Sequence, residues 1–127
     1  MVEATLPKDL ECIPSDMFRY CSSLCYVNIP SSVKEIQSSA FYGCSLSEII
    51  IPKNIQQIGD YAFSDCYPVS AANNIMSIRL ESYSILKVGI DLFNRTTYKA
   101  ATLYIPKNSL SNYVYTDFGN FINIVEY

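Results

Sequence analysis

Three of the five cysteines recur at a regular spacing and are the first candidates for chemistry. Cys21, Cys44 and Cys66 lie at nearly equal intervals along the chain, whereas Cys12 and Cys25 fall outside this series. One interpretation is a ladder of buried free thiols, because buried cysteine usually packs as a small hydrophobic residue. The other is a disulfide between stacked units, although strand spacing holds Cβ atoms farther apart than the ~3.8 Å that a disulfide prefers. The sequence favours free thiols, and it predicts no zinc site because histidine and Cys-x-x-Cys pairs are absent.

Four aspartates near predicted turns, Asp16, Asp60, Asp65 and Asp91, are the second candidates. Two facing carboxylates could hydrolyse a glycosidic bond. No aspartate or glutamate, however, lies in an apolar stretch of the kind that produces a catalytic acid. The four glycines are scattered and form no phosphate-binding loop. We therefore expect solvated turn acids, with no catalytic residue, no metal ligand and no cofactor, and the chain is predicted not to be an enzyme.

The cysteine spacing belongs to a repeat that covers most of the chain. Ile29 to Ile51, Phe41 to Phe63 and Cys44 to Cys66 all share one offset in the sequence. A weaker copy precedes them, in which Leu6-Pro7 and Phe18 precede their counterparts by a slightly longer offset. An offset in the range of about 20–50 residues indicates stacked supersecondary units. The expected coils are residues 1–23, 24–45, 46–69 and 76–98, and together with a C-terminal cap at 101–127 they form a single domain.

The pattern within each unit predicts how the coils are built. Alternation such as Val27-x-Ile29 predicts a short strand with one buried face, and the proline that follows it ends the strand. Stacking should pair the strands in parallel and lay like residues over like. We expect strands near 4–6, 26–29, 48–51, 77–80 and 102–105, with only a turn or two of helix after each Ala-Phe pair. The small and polar insertion at 70–74 should be a surface loop.

Side chains that point away from the core on the strand face are the candidate binding residues. Strand alternation assigns Tyr26, Asn28, Glu48, Ile50, Arg79 and Tyr104 to this face. Stacked coils would align them into one continuous, gently concave surface of the kind that solenoids use for binding. Aromatic residues can supply much of the energy of an interface. A soluble face without a partner is the alternative.

Composition limits the classes of partner. The net charge of −3 argues against nucleic acid, which requires a basic surface. No apolar run approaches the ~18 residues of a membrane span. The start of the chain has no basic and apolar leader, so the protein is expected to be intracellular or a piece of a longer exported chain. Because the sequence starts in the middle of a repeat, the second reading is favoured.

The repeat resembles a known family. Val27-x-Ile29-Pro30, then Ile36, Ala40-Phe41 and Cys44, is similar to the BspA-like (Treponema pallidum-type) leucine-rich repeat, and 101–107 with 121–126 resembles the closing segment of such proteins from gut Bacteroidetes. The resemblance implies an α/β repeat, a right-handed, curved leucine-rich-repeat solenoid. It also implies a secreted or cell-surface module that binds a protein or glycan on host or bacterial cells. The alternative is a structural spacer of a larger surface protein. The first coil would expose a bare strand edge, which predicts weak self-association through the N-terminal end.

Overall fold

The computed structural model describes residues 2–67 and 76–127, and these residues form a stack of short strands with little helix. The strands are β1 (Val2–Thr5), β2 (Cys12–Ile13), β3 (Leu24–Asn28), β4 (Glu35–Ile36), β5 (Glu48–Ile51), β6 (Gln57–Ile58), β7 (Ser77–Leu80), β8 (Lys87–Val88), β9 (Thr102–Ile105) and β10 (Asn123–Glu126). The helices are α1 (Arg95–Ala100), α2 (Leu110–Tyr113) and a 3-10 helix (Asp117–Asn120). The loop expected at 70–74 lies outside the described residues.

The strands pair in parallel, as the repeat predicts. Three sheets result, with the orders β1-β3, β5-β7-β9-β10 and β2-β4-β6-β8. The five expected strands are all present, within two residues of their expected bounds. The row β2-β4-β6-β8 was not predicted as strand, because each member is only two residues long and alternation cannot be recognised over that length.

The prediction of one continuous sheet on the binding face is wrong, because the ladder breaks between β3 and β5. Two backbone bonds join the coils just before this point, from Ser45 N to Leu24 O at 2.9 Å and from Ser47 N to Cys25 O at 3.4 Å. Beyond Ser47, no ladder pairs β3 with β5 in the described part of the chain. The repeat spacing is unchanged here, so the break is not a slip of register.

A column of phenylalanine rings forms the centre of the core. Phe18, Phe41, Phe63 and Phe93 stack with centroids 5.3, 5.3 and 5.4 Å apart and with planes within 10° of parallel. Coil stacking fixes this spacing, because the strands that accompany the rings are one ladder step apart. The prediction that like residues lie over like is confirmed. Burial of these rings and of the strand side chains below them supplies the main stabilisation of the fold.

Residues with a left-handed backbone lie close to each phenylalanine ring of the column. The residue two before the ring has a positive φ in all four coils, at Asp16, Ser39, Tyr61 and Asp91. The residue two after it does so at Tyr20, Gly43 and Asp65. Such a backbone costs an ordinary residue roughly 1–2 kcal/mol, less for aspartate and almost nothing for glycine. Aspartate, serine and glycine occupy five of these seven positions, whereas Tyr20 and Tyr61 carry the strain of a left-handed backbone.

Helix follows the ring only in the fourth coil of the described chain. Hydrogen-bonded turns, not helix, follow Phe41 and Phe63, whereas α1 begins two residues after Phe93. The expected turn of helix after every Ala-Phe pair is therefore wrong for the regular coils. A second left-handed residue closes the corner there within two residues, which leaves no room for a helical turn.

Candidate binding face

The outward side chains of β5, β7, β9 and β10 form two rows across the four-stranded sheet, and we call this surface the strand face. The first row contains Glu48, Ser77, Thr102 and Asn123. The second row contains Ile50, Arg79, Tyr104 and Val125. Their alignment follows from the in-register parallel pairing of the four strands, which places equivalent residues side by side.

Four of the six predicted binding residues, Glu48, Ile50, Arg79 and Tyr104, lie on the strand face. Glu48 and Arg79 are exposed, Ile50 is half-buried and the Tyr104 side chain is 36% exposed.

The other two predicted residues lie apart from these four. Tyr26 and Asn28 are on β3, in the two-stranded sheet, where they pair with Glu3 and Thr5. Tyr26 is half-buried and Asn28 is exposed. The predicted residues therefore divide between two hydrogen-bonded sheets.

Two residues of the surface were missed by the sequence reasoning. Val125 and Asn123 complete the two rows from β10, a strand that lies within the segment predicted as a C-terminal cap and not as a strand. The signal that could have identified it is weak: Ile124 follows Leu103 at nearly the repeat spacing, but no Ile-Pro pair comes after it.

Tyr127 adds an aromatic ring to the end of the strand face. Its hydroxyl donates a hydrogen bond to the Leu80 carbonyl at 2.7 Å, so the side chain reaches back to β7. The guanidinium carbon of Arg79 lies 4.3 Å from the centre of the Tyr127 ring, within cation–π distance. Arg79 is thus held in a defined position although it is exposed.

The five cysteines are all free thiols within the described chain. Cys44 donates to the Phe18 carbonyl at 3.1 Å and Cys66 donates to the Phe41 carbonyl at 3.0 Å, so each thiol binds the coil before it. Interaction with the Cys44 thiol, together with burial, raises the pKa of Cys66. These two residues confirm the buried-thiol interpretation.

Cys21 is the exception, because it is exposed. The prediction that this thiol is buried is wrong, and the reason lies in its position in the stack. Cys44 is covered by the coil that carries Phe18, but no earlier coil of residues 2–67 lies over Cys21. The same position in the repeat therefore has a different environment in the first coil.

Two of the turn acids, Asp16 and Asp60, make separate contacts. Asp16 makes an exposed ion pair with Arg19 at 3.3 Å, and the Asp60 carboxylate accepts a hydrogen bond from Ile90 N at 3.0 Å. Within residues 2–67 and 76–127, no cluster of three acidic, cysteine or histidine side chains could hold a metal ion. These acids shape turns and bridge coils.

The backbone amides beside each ring bind the following coil. In the regular part of the chain, residues 2–67, three such amides donate to carbonyls of the next coil. Ser39, Phe41 and Gly43 bond to Asp60, Ala62 and Ser64 at 3.0, 2.9 and 3.0 Å. An amide that is left buried without a partner costs roughly 1–3 kcal/mol. Each coil therefore needs the next one to supply its hydrogen-bond acceptors.

Side chains supply these acceptors in the fourth coil. The Asp117 carboxylate accepts from Asp91 N at 3.2 Å and from Leu92 N at 3.0 Å, and the Tyr98 hydroxyl oxygen accepts from Phe93 N at 3.1 Å. Tyr98 in turn donates its proton to Asp117. Burial and this hydrogen bond raise the pKa of Tyr98.

Aromatic rings from the C-terminal segment cover the last ring of the column. Phe93 meets Phe121 edge to face at 5.3 Å, and Tyr98 and Phe118 lie at 5.9 and 6.4 Å. Tyr113 is buried beside Phe118 and donates to the Ser82 carbonyl, and desolvation raises its pKa to about 12. The aromatic residues of this segment therefore continue the core beyond the stacked phenylalanines.

In the parts of the chain that the structure describes, no helix has both the length and the apolar character needed to cross a membrane. This agrees with the short helices, which contain at most six residues.

Parallel short strands, a ladder of like residues and a low helix content define the protein as a leucine-rich-repeat solenoid. The chain belongs to the BspA type leucine rich repeat region family, whose model matches residues 1–122 in six copies. The sequence has no match among the curated proteins with which it was compared.

Two solved structures share the fold. A leucine rich cell surface protein from Faecalibacterium prausnitzii is similar with a TM-score of 0.53 and 16% identity. The pneumococcal vaccine antigen PcpA is similar with a TM-score of 0.53 and 15% identity. Both alignments cover 98% of this chain but only 59% and 41% of those proteins, so the chain spans less than two thirds of either one.

Proposed function

We propose that this protein is a non-catalytic, extracellular or cell-surface module that binds a protein or glycan partner on host or bacterial cells. The strand face is the proposed site, with Tyr26 and Asn28 as an outlying part on the neighbouring sheet. The single observation that carries the proposal is the second row of the strand face, in which Arg79, Tyr104 and Val125 stand side by side from three hydrogen-bonded strands.

This row has the composition of a binding surface. Tyrosine and arginine are enriched among the residues that dominate interface energies, and β-sheet placement keeps their positions rigid. Tyr104, Val125 and Tyr127 are each exposed by more than a third of their surface. The solved structure of a cell-surface protein with the same fold supports the proposed location.

We also propose a right-handed, curved solenoid that is closed by a C-terminal cap at 101–127. The support is the replacement of backbone acceptors by Asp117 and Tyr98, and the covering of Phe93 by aromatic rings. A repeat stack requires a last unit that satisfies the exposed backbone and core of its neighbour. The cap would leave the strand face open to a partner.

A structural spacer within a larger surface protein is the alternative. The two solved proteins of this fold are longer than this chain, which agrees with a module that serves another part of the protein. A spacer should show no preference among partners. A binding module should lose affinity when the strand face alone is changed.

The test is a binding screen of the purified protein against extracellular-matrix proteins and a glycan array. A Tyr26→Ala/Tyr104→Ala variant is measured alongside, with Tyr115→Ala as a control because Tyr115 is 98% exposed and lies outside both sheets. We expect at least one partner to bind both the wild type and the Tyr115→Ala control. The double variant should lose this binding although its melting temperature is unchanged. Absence of any hit favours the spacer, and normal binding by the double variant places the site elsewhere.

A further inference from the structure

A groove of about 550 Å³ lies beside the strand face where the fourth coil departs from the repeat. Its lining residues are Ser31, Lys53, Asn54, Arg79, Glu81 and Tyr127. Glu81 stands directly after the strand, where Pro30, Pro52 and Pro106 stand in other coils. The fourth coil thus contributes two charged residues, Arg79 and Glu81, at positions that are uncharged in the neighbouring coils.

Three side chains of the groove, those of Tyr127, Arg79 and Asn54, are held by contacts within the protein. Tyr127 is anchored by its hydrogen bond to Leu80 O, and Arg79 lies against the Tyr127 ring. The Asn54 amide donates to the Ser31 carbonyl at 2.9 Å. A binding site that is already ordered avoids part of the entropy cost of association.

The two cations of the groove have no carboxylate partner in the described chain. The ion pairs within residues 2–67 and 76–127 are Asp16–Arg19 and Glu11–Lys34, and neither involves Arg79 or Lys53. Glu81 lines the same groove but lies outside ion-pairing distance of both. An arginine that is held on an aromatic ring can bind a carboxylate through two parallel hydrogen bonds.

We propose that this groove binds an acidic sugar, with its carboxylate on Arg79 and Lys53 and its hydroxyl groups on Glu81, Asn54 and Ser31. The inference rests on the proposed binding function and names the class of ligand for one end of the strand face. Sugar rings present hydroxyls around their whole edge, which the hydroxyl, amide and carboxylate groups of the groove can satisfy. The exposed part of the Tyr127 ring offers an apolar surface for the C–H groups of the sugar.

The groove fits a sugar better than a peptide. A peptide that binds a sheet usually adds a strand at an open edge, but β7 is paired on both sides, with β5 and β9. A peptide that binds through an apolar anchor residue needs an apolar pocket for that residue. The groove has no aliphatic side chain in its lining, and its apolar surface comes from the Tyr127 ring and from the carbon atoms of polar and charged side chains.

The first experiment compares acidic sugars with matched neutral sugars. Binding of 3′-sialyllactose and of a glucuronic-acid-containing oligosaccharide is measured by calorimetry or on an array, with lactose and a neutral oligosaccharide as controls. We expect the acidic members to bind at least tenfold more tightly, and the difference to shrink as salt is raised. Equal binding of acidic and neutral sugars, or no binding of either acidic sugar, overturns the inference.

Substitution of the two groove cations tests whether the acidic sugar binds in this groove. Arg79→Gln should reduce binding of the acidic sugar at least tenfold and Lys53→Gln several-fold, without a change in melting temperature. Lys107→Gln is the matched control, because Lys107 follows Pro106 as Lys53 follows Pro52 but lies outside the groove. Unchanged binding by Arg79→Gln contradicts the inference.

Binding of a glutamate-rich peptide is also measured, to distinguish the acidic-sugar inference from the broader proposed function. If the peptide binds and Arg79→Gln abolishes its binding, the groove recognises acidic peptides and the sugar is overturned as its ligand. If a matrix protein binds through Tyr104 while no acidic sugar binds, the proposed function stands and this inference fails. If neither a protein nor a sugar binds in the screen, the proposed function and this inference both fail.

Discussion

The backbone amides beside the core rings find their hydrogen-bond acceptors differently in the two parts of the chain. The regular part is residues 2–67, and the irregular part is residues 76–127. In the regular part, the amides at Ser39, Phe41 and Gly43 are satisfied by the backbone of the next coil. In the irregular part, the amides of Asp91, Leu92 and Phe93 in the fourth coil are satisfied by the side chains of Asp117 and Tyr98. The first solution tolerates many sequences, because any residue has a carbonyl. The second depends on particular residues.

The candidate site follows the same division. Arg79, Glu81 and Tyr127 belong to the irregular part, and they line the groove together with turn residues of the regular coils. In a repeat protein, the regular units provide stability and position, and departures from the repeat are expected where a specific function is required. Under the proposed function, the first part serves mainly as the scaffold, and the second part carries most of the proposed recognition surface and the proposed cap.

The largest expected effect is the loss of a ring from the interior of the column. Phe41→Ala removes a fully buried ring that is stacked on both faces, and it should lower the free energy of unfolding by about 3–5 kcal/mol. Urea denaturation of the variant and wild type measures the difference. A loss under about 1 kcal/mol, outside the range for a buried phenylalanine, would show that the column is not the core of the regular part.

Removal of the Asp117 carboxylate should have the next largest effect. Asp117→Asn replaces one accepting oxygen with an N–H donor, so the amide of Asp91 or Leu92 loses its partner, at a cost of about 1–3 kcal/mol. Hydrogen exchange at Asp91 and Leu92 should accelerate more than exchange at Phe41. Asp9→Asn, at an exposed turn, is the control. Unchanged exchange at both amides would remove Asp117 from the closing role.

Relief of a strained turn in the regular part should have a smaller and opposite effect. Tyr61 has a φ of 59° and its side chain is 44% exposed, so it bears the cost of a left-handed backbone with limited packing in return. Tyr61→Asn should stabilise the protein by about 0.5–1 kcal/mol, because asparagine tolerates this conformation. Thermal unfolding should show a higher melting temperature, and a lower one would mean that the tyrosine packing outweighs the strain.

The smallest expected effect is self-association through the first coil. The open edge of β1 and the exposed side chain of Val2 lie at the end of the stack that has no covering segment in the described chain. Unpaired strand edges invite pairing, so the average mass from light scattering should rise weakly with concentration. Glu3→Pro should reduce that rise, because alternate residues such as Val2 direct their N–H groups toward β3 and the Glu3 N–H therefore belongs to the open edge. A clean monomer at high concentration would contradict the prediction.

The fold could be predicted from the sequence because the repeat is redundant. Strand positions, the burial of Phe41 and Phe63 and the thiols of Cys44 and Cys66 all follow from one repeat spacing. The exposure of Cys21 could not be read from that spacing, since it depends on the position of a coil in the stack and not on its pattern.

The candidate site was only partly predictable. Strand alternation correctly placed Arg79 and Tyr104 on one face, because period-two patterning determines which side a residue occupies. It missed Tyr127, whose ring reaches Arg79 across an intervening strand, and it missed the ladder break after β3. Both depend on contacts between residues that no local pattern connects.

The most direct test of the account is a binding comparison between the two sheets, made with whichever partner the screen identifies. One variant combines Tyr26→Ala with Asn28→Ala on the two-stranded sheet, and the other combines Arg79→Ala with Tyr104→Ala on the four-stranded sheet. We predict that both weaken binding at unchanged melting temperature, and that the second loses at least tenfold more affinity than the first. An equal or larger loss from the first variant would contradict the assignment of recognition to the irregular part of the chain.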